Sequence, residues 1–400
     1  MFASRFDSLP PSPFPRLTAL LAGSEPGETP IDMAIGEPKH APPEFVREIL
    51  DAHFADYTRY PPALGTEELR RAISDWTARR YGTGDLVDPD RNIAPLCGTR
   101  EGLFAIALLT VPEWSGGTRP AVLIPNPFYQ CYATAAVAAG AEPVYLATRR
   151  EDNFLPCLDA LTPELLDRTS LMYLCTPANP QGTVASDDYL DRLIGLARAH
   201  DFTVLFDECY SEIYLDRPPP GALQAAARSG EGLSNVLVFN SLSKRSSLAG
   251  LRSGFCAGDG EIVASFLKFR NLAAPQLPFP VQAASAAAWR DEEHVSKNRA
   301  LYQAKIKIAA DILSGQFGFY APPGGFFLWL DMAAHGGGEA AAKTAWREAG
   351  IRMLPGTYLA REEAGSGDDY DRYVRVALVH DVTTTEQALG KLAAALAPVG

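Results

Sequence analysis

The chain has 400 residues, of which 47% are hydrophobic and 21% are charged, an ordinary balance for a globular protein. This composition excludes wholesale disorder, collagen and coiled coil, and the length predicts two or three lobes. The net charge of -12 argues against nucleic acid or an anionic membrane surface as a partner. No apolar stretch approaches the roughly 20 residues that span a bilayer, so we expect a cytoplasmic protein.

The metal-ligating and amine-bearing residues are unevenly placed. The six cysteines and six histidines are scattered without CxxC, HxxxH or HxH spacing. We therefore expect neither a metal site nor a disulfide framework. Lysines are few among the 36 basic residues, and none occurs between Lys39 and Lys244.

The first part of the chain, residues 1–45, is rich in proline and has too little hydrophobic pattern to fold alone. We expect an arm that packs on a second lobe or on a neighbouring subunit.

From about Asn92 to Gly258, apolar strand candidates alternate with helical segments. The predicted strands are Ile93–Leu96, Ala121–Pro125, Pro143–Ala147, Leu171–Cys175, Thr203–Phe206, Val236–Phe239 and Gly254–Ala257. The alternation predicts an α/β fold, with a three-layer large domain at residues 46–283 built on a mostly parallel sheet.

The pattern changes after about Pro280, and residues 284–400 are predicted to form a smaller α+β domain. Its expected elements are a helix, continuous or broken once, over Val281–Ile312, a strand over Phe326–Leu330, a helix over Gly338–Ala349, a strand over Tyr373–Leu378 and a helix over Thr384–Ala397. We expect exposed loop tips at His335–Gly338 and Ala364–Asp369.

Residues that follow the strands are candidate site residues, because ligands of an open α/β sheet bind beyond the carboxyl ends of its strands. Gly98-Thr99-Arg100 opens a helix and suits a phosphate cradle, although an ordinary strand-to-helix turn has the same pattern. Tyr129 lies in an aromatic turn that would either stack on a ring or cover the sheet edge.

Three later loops add polar groups. Asn179 stands in a turn, and Asp207 closes an apolar strand where an unpaired carboxylate would be costly. Tyr210 follows three residues later. A bare turn is the alternative for Asn179, and an N-cap or a structural salt bridge is the alternative for Asp207. Lys244 also follows a buried strand, whereas most other lysines lie in helical contexts. The hydroxyls of Ser241 and Ser243 and the guanidinium of Arg252 share its loop.

Together these groups match what pyridoxal 5′-phosphate requires. Its aldehyde needs an amine for a Schiff base. Its phosphate needs amides, hydroxyls and an arginine, and its ring nitrogen needs a carboxylate that keeps it protonated. The sequence therefore predicts this cofactor.

Several motifs resemble those of the fold-type I, class I aminotransferases. Ser241-x-Ser243-Lys244-x7-Arg252 is similar to the family's lysine signature, and Asn179-Pro180-x-Gly182 and Asp207-x-x-Tyr210 are similar to two more. The segment from Tyr60 to Arg70 resembles one in which a tyrosine reaches the neighbouring subunit's phosphate. Val374-Arg375-Val376 resembles the segment whose arginine holds the substrate carboxylate.

This resemblance implies a homodimer that acts on an amino acid and a 2-oxo acid, and it implies roles for individual residues. The catalytic residues would be Lys244, Asp207 and Tyr210. The cofactor would be bound by Thr99, Arg100, Tyr129, Asn179, Asp207, Tyr210, Ser241, Ser243, Lys244, Arg252 and the partner's Tyr60. The substrate would be bound by Gly36, Asn179 and Arg375.

Residues 95–104, 126–132 and 241–255 look more narrowly like N-succinyl-LL-diaminopimelate aminotransferases of lysine biosynthesis, with glutamate as amino donor. Ser247 and Ala249 depart from the Asn and Pro expected there, and we expect both on the far side of the loop from Lys244. Arg245 and Arg59 are candidates for binding the distal carboxylates.

Other functions stay open at this point. The same site could serve aspartate, acetylornithine or LL-diaminopimelate, or could support elimination, decarboxylation or racemisation. A pyridoxal-binding regulator would need an N-terminal DNA-binding domain, for which we expect too little chain before Ile35.

Overall fold

The computed structural model describes residues 4–9, 11–361 and 370–397. The strands in these ranges are β1 Ile31–Asp32, β2 Ile93–Leu96, β3 Ala121–Asn126, β4 Glu142–Ala147, β5 Thr169–Cys175, β6 Thr203–Asp207, β7 Val236–Ser241, β8 Gly254–Gly258, β9 Phe327–Asp331, β10 Ile351–Arg352, β11 Leu354–Pro355 and β12 Tyr373–Ala377.

The α-helices in the same ranges are α1 Pro13–Leu21, α2 Glu44–Ala52, α3 Glu67–Tyr81, α4 Thr99–Ala105, α5 Ala107–Thr110, α6 Gln130–Ala138, α7 Pro163–Leu166, α8 Asp187–Ala199, α9 Ala222–Ser229, α10 Leu242–Arg245, α11 Gly260–Ala273, α12 Phe279–Arg290, α13 Glu293–Leu313, α14 Gly338–Ala349 and α15 Val382–Ala395. None of these helices is both long and apolar enough to cross a membrane.

A seven-stranded sheet organises the larger part of the chain, in the order β2-β8-β7-β6-β5-β3-β4. Strand β8 runs antiparallel to both of its neighbours, and the other strands share one direction. Hydrophobic clusters cover both faces, which is why the inner strands are continuous apolar runs. The predicted α/β class with a mostly parallel sheet is confirmed.

Several strands extend past their last apolar residue. Strand β6 includes Asp207, which pairs with Cys175 and Phe239, and β7 includes Ser241. The ladder is made by backbone groups, so a polar side chain does not end it. As a result, the polar residues at the strand ends are held by the rigid sheet.

A second lobe surrounds the antiparallel sheet β11-β12-β9. Helices α13, α14 and α15 pack against it. The N-terminal arm lies on this lobe: β1 pairs in parallel with β10, and Leu17 and Leu21 of α1 join a cluster with Trp329 and Leu354.

The helix predicted over Val281–Ile312 is broken at Asp291 and Glu292. The Arg245 guanidinium donates to the Ala288 carbonyl at 2.6 Å and to the Asp291 carbonyl at 3.3 Å, satisfying carbonyls at the end of α12. The Asp291 carboxylate accepts from the His294 amide at 3.0 Å, near the start of α13. The break is therefore capped on both sides.

Of the two segments expected to be exposed loop tips, one lies within the described residues. Ala364–Asp369 lies outside the described residues. The His335–Gly338 expectation is wrong in part, because Gly337 and Gly338 are buried. Their amides donate to the carbonyls of Met332 at 3.0 Å and Asp371 at 2.5 Å, which folds the segment back onto the lobe.

Arg270 on α11 is a buried cation that holds the start of α4 against β2. Its guanidinium donates to the Glu101 carboxylate at 2.7 Å and to the carbonyls of Pro95 at 2.7 Å and Ala63 at 3.0 Å. Glu101 accepts in turn from the Cys97 amide at 2.8 Å. This network fixes the loop that presents the first candidate site residues.

We predict that Arg270→Ala lowers the free energy of unfolding of the cofactor-free protein by about 3–5 kcal/mol, because Glu101 loses its partner in a buried ion pair. The matched control is Arg290→Ala, whose pair with Glu68 is exposed and should contribute less than about 1 kcal/mol. Urea unfolding of both variants tests this. Equal losses would contradict a special role for the buried pair.

Candidate active site

A cavity of about 290 Å³ opens at the carboxyl ends of the parallel strands. Every predicted site residue except Tyr60 lines it: Gly36, Thr99, Arg100, Tyr129, Asn179, Asp207, Tyr210, Ser241, Ser243, Lys244, Arg252 and Arg375. They come from both lobes and from the N-terminal arm. The fold thus brings residues that are far apart in sequence around one space.

Lys244 lies on the short helix α10, directly after β7. Its Nζ donates to the Gly36 carbonyl at 2.5 Å and lies 5.6 Å from the centre of the Phe326 ring. Burial lowers the pKa of Lys244 to about 8, and the nearby Arg375 guanidinium acts in the same direction. A substantial fraction of this amine is therefore neutral near physiological pH, as a nucleophile or proton acceptor requires.

Asp207 ends the central strand β6 with its carboxylate buried in the cavity. It accepts from the Tyr132 hydroxyl at 2.8 Å and from the Cys209 amide at 3.3 Å. Burial raises the pKa of Asp207, while these hydrogen bonds and Lys244 oppose that rise. Neither direct donor is charged, so the carboxylate is suited to receive a further, cationic donor.

Tyr132 is a cavity residue that the sequence analysis missed. It lies on α6, and its ring stacks on the Tyr173 ring with centroids 4.4 Å apart. The available signal was its spacing, because it lies three residues after Tyr129, the N-cap residue of α6.

A cluster of hydroxyl and guanidinium groups lies at one side of the cavity. The Ser241 hydroxyl accepts from the Ser243 amide at 3.0 Å. The Arg252 guanidinium passes over Gly98, where a Cβ atom would lie 2.1 Å from its Nη2. Gly98 also has φ of +82°, which favours glycine. Thr99 adds a hydroxyl at the first turn of α4. These donors suit a phosphate group.

Tyr129 and Arg100 form a pair at the cavity wall. The Arg100 Nε donates to the Tyr129 hydroxyl. Burial raises the pKa of Tyr129 to about 12, so its hydroxyl stays neutral. The predicted stacking role of this ring remains a prediction.

Arg375 on β12 enters the cavity from the second lobe. Its Nη1 donates to the Asn179 Oδ1 at 2.9 Å and its Nη2 to the Ala34 carbonyl at 2.7 Å. Its buried Nε has no hydrogen-bond partner among the residues that the structure describes, and burial lowers the pKa of Arg375 to about 10. A buried guanidinium with a free donor suits a substrate carboxylate.

Asn179 and Tyr210 supply neutral polar groups beside Arg375. The Asn179 oxygen is occupied by Arg375, which leaves its amide nitrogen as a donor. Burial raises the pKa of Tyr210 well above its usual range, and its ring packs edge-on against Phe326 and Phe327. Both groups can donate to an anionic oxygen.

Of Ala249, Ser247 and Tyr60, only Ala249 lines the cavity. Ala249 lines the cavity together with Lys244, so its expected place on the far side of the loop is wrong. Ser247 is outside the cavity, where its hydroxyl contacts the Asn298 Oδ1 at 3.2 Å. Tyr60 is fully exposed and outside the cavity.

Neither arginine expected to bind distal carboxylates lines the cavity. Arg245 is buried against Trp289 and pairs with Glu292 at 2.8 Å, in addition to its contacts with α12. Arg59 pairs with Asp56 and lies over the Phe279 ring. The expectation is wrong for Arg245, because its guanidinium lies outside the cavity and both of its Nη groups donate at the helix break.

The parallel sheet and the groups at its carboxyl edge define an enzyme of the pyridoxal-phosphate class. Residues 28–392 match the profile of the family described as aminotransferase class I and II, and the chain belongs to this family. It is 38% identical to an aminotransferase of Neisseria meningitidis Z2491 whose crystal structure superposes with a TM-score of 0.93, over 98% of this chain and 99% of the other.

Curated relatives have more specific names. The chain is 32% identical to the 4-dedimethylamino-4-oxo-anhydrotetracycline transaminase OxyQ of Streptomyces rimosus, over 92% of each chain. It is 28% identical to an LL-diaminopimelate aminotransferase of Dehalococcoides mccartyi, over 98% of each chain.

Members of this family use pyridoxal 5′-phosphate, and the cavity fits it. Lys244 offers an amine with a lowered pKa. Asp207 offers a buried carboxylate without a charged direct partner. Gly98 leaves open the space under Arg252 at the hydroxyl cluster. These are the three contacts that the aldehyde, the ring nitrogen and the phosphate need.

We predict that borohydride reduction of the holoenzyme fixes the cofactor on Lys244, as read by peptide mass spectrometry, and that Lys244→Ala abolishes the adduct. Lys305 is an internal control: burial lowers its pKa to about 7, yet it is absent from the cavity lining. An adduct on Lys305 or any other lysine would overturn the site assignment.

Proposed function

We propose that this pyridoxal-phosphate-dependent aminotransferase acts on N-succinyl-LL-diaminopimelate, with glutamate and 2-oxoglutarate as the partner pair, in the diaminopimelate route to lysine. The three segments that resemble the succinyl enzymes all contribute to the cavity: Thr99 and Arg100 from the first, Tyr129 and Tyr132 from the second, and the Lys244 loop from the third. The observation that supports the proposal is that the same three segments both resemble the succinyl enzymes and line the cavity.

LL-diaminopimelate is the second candidate, because several curated relatives are named LL-diaminopimelate aminotransferases. That substrate carries a free ammonium at its distal end. Among the described residues that line the cavity, Asp207 is the only acid, and we assign it to the cofactor ring. A distal ammonium would lack a carboxylate partner, whereas a succinylated nitrogen is neutral. The lack of an acid among the described lining residues that could pair that ammonium favours the succinylated substrate.

The roles proposed for the cavity residues follow from their donors and acceptors. Pyridoxal phosphate, when bound, supplies an aldehyde and a ring that takes up negative charge from the substrate Cα. Lys244 holds the cofactor and, as a free amine, moves the Cα proton. Asp207 keeps the ring nitrogen protonated, and Asn179 and Tyr210 donate to the ring oxygen. Arg375 binds the α-carboxylate.

The remaining groups bind and orient. Thr99, Arg100, Ser241, Ser243 and Arg252 are proposed to hold the phosphate, and Tyr129 to pack on the ring face. Gly36 presents its carbonyl to the Lys244 amine and lines the substrate side.

We predict that N-succinyl-LL-diaminopimelate exceeds aspartate, alanine and aromatic amino acids in kcat/KM by at least about 100-fold, because a site built to bind its distal carboxylates leaves the polar groups that bind them unpaired when a shorter substrate enters. LL-diaminopimelate tests the second candidate, and N-acetylornithine is the control with an acylated amine but no distal carboxylate. If aspartate or an aromatic amino acid is the best donor, the pathway assignment fails while the family assignment stands.

We also propose a cytoplasmic homodimer with shared sites, whose chain divides at residues 1–45, 46–283 and 284–400. The segment before Tyr60 supports the dimer, because the Phe54 and Tyr57 rings pack edge-on against each other and both are exposed, as Tyr60 is. A second copy of the chain would cover them and bring the partner's Tyr60 to the phosphate.

We predict that Tyr60→Phe weakens cofactor affinity about tenfold, because a hydroxyl donor to a charged group is lost. Tyr57→Phe, a change at another exposed tyrosine, should not. Hybrids of Tyr60→Phe and Lys244→Ala subunits should regain tight binding at the one site that carries neither change. Sedimentation that shows a fully active monomer, or hybrids without recovery, would contradict shared sites.

A further inference from the structure

One side chain of the second lobe donates a hydrogen bond to the backbone carbonyl of Lys244. Asn298 on α13 donates through Nδ2 to the carbonyls of Lys244 and Arg245, each at 3.1 Å. These carbonyls belong to the last residues of α10, a helix of four residues, and helix-end carbonyls need partners from outside the helix. Asn298 therefore connects the end of this helix to the second lobe.

The remaining contacts of Asn298 fix the direction of a hydrogen-bond chain. Since its nitrogen faces two acceptors, its oxygen faces the His40 Nδ1 at 2.7 Å and the Ser247 hydroxyl at 3.2 Å. An amide oxygen only accepts, so His40 carries a proton on Nδ1. The His40 Nε2 then accepts from the Lys305 Nζ at 2.9 Å. Burial lowers the pKa of His40, consistent with a neutral ring.

Lys305 anchors the far end of the chain. It is fully buried, and its Nζ also donates to the carbonyls of Leu378 at 2.6 Å and His380 at 2.8 Å. In its protonated form, all three of its donors are used. Leu378 follows directly after β12, the strand that carries Arg375. The chain from Lys305 through His40 to Asn298 thus links the strand of Arg375 to the helix of Lys244.

We propose that Asn298, oriented by His40 and Lys305, is a positioning residue that holds the Lys244 amine at a fixed distance from the Arg375 guanidinium. This inference rests on the proposed role of Lys244 as the cofactor lysine. One α-amino acid must meet both groups at once, with its amino group near Lys244 and its carboxylate on Arg375. Small displacements of α10 would therefore impair turnover more than binding.

The test compares Asn298→Asp with a matched lesion on the same helix. Gln303 on α13 donates in the same way to two consecutive carbonyls, those of Tyr214 at 3.2 Å and Leu215 at 2.7 Å, but neither of these two residues lines the cavity, whereas Lys244 does. In each case, Asn298→Asp and Gln303→Glu, a carboxylate replaces the amide that donates to two carbonyls. Both variants should lower the Tm of the cofactor-free protein to a similar extent.

Only Asn298→Asp should affect the site. We expect the rate constant with which L-glutamate converts the bound cofactor to fall about 10- to 100-fold, with half-saturation unchanged within about twofold. Titration of the cofactor-free protein with pyridoxal phosphate should show weaker binding for Asn298→Asp, and borohydride trapping on Lys244 should be slower. Gln303→Glu should match the wild type in all three. Asn298→Ser, which keeps one donor, should give intermediate values and serves if Asn298→Asp does not fold.

The outcomes separate the two proposals. If Asn298→Asp and Asn298→Ser match Gln303→Glu in glutamate rate, cofactor affinity and trapping, Asn298 is structural only and the positioning role is overturned. If borohydride places the wild-type adduct on a lysine other than Lys244, the proposed function of Lys244 itself fails.

Discussion

The burial of one carboxylate sets the conditions for the rest of the cavity. Asp207 ends a central strand, and a charged group in that place is costly unless donors surround it. The Tyr132 hydroxyl and the Cys209 amide supply two donors, but both are neutral. The nearby Lys244 balances this charge in part, and a cationic donor that enters the cavity would complete the balance. A protonated pyridine nitrogen would be such a donor, which fits the proposed place of the cofactor ring beside Asp207.

The sequence predicted the elements whose signal is local. The strands of the large sheet are continuous apolar runs, and Lys244, the lysine proposed to hold the cofactor, stands out because it follows one of them. The ends of β6 and β7 could not be placed, because the ladder depends on backbone groups and ignores polar side chains. The break between α12 and α13 was not located, because Arg245, which caps it, lies more than 40 residues earlier in the chain.

The predicted site residues were found through the rule on strand ends together with the resemblance, and all except Tyr60 share one cavity. What could not be predicted depends on pairs from separate segments. The role of Tyr132 can be recognised only from its hydrogen bond to Asp207, and that of Asn298 only from its hydrogen bonds to the carbonyls of Lys244 and Arg245. A backbone carbonyl has no signature in the sequence, because every residue has one. The place of Ala249 depends on how its loop turns, a property that side-chain identity alone does not fix.

Because lysines are scarce in this protein, few of its amines could compete with Lys244 for the cofactor aldehyde. An aldehyde reacts with a free primary amine and not with a guanidinium that stays protonated at all physiological pH values. The stretch between Lys39 and Lys244 contributes no amine, and the Lys305 amine is occupied by three acceptors. Three of the four cationic side chains among the described lining residues are arginines, so they attract a phosphate without offering a competing amine. A pyridoxal molecule that enters the cavity meets Lys244 as the one primary amine among the described lining residues.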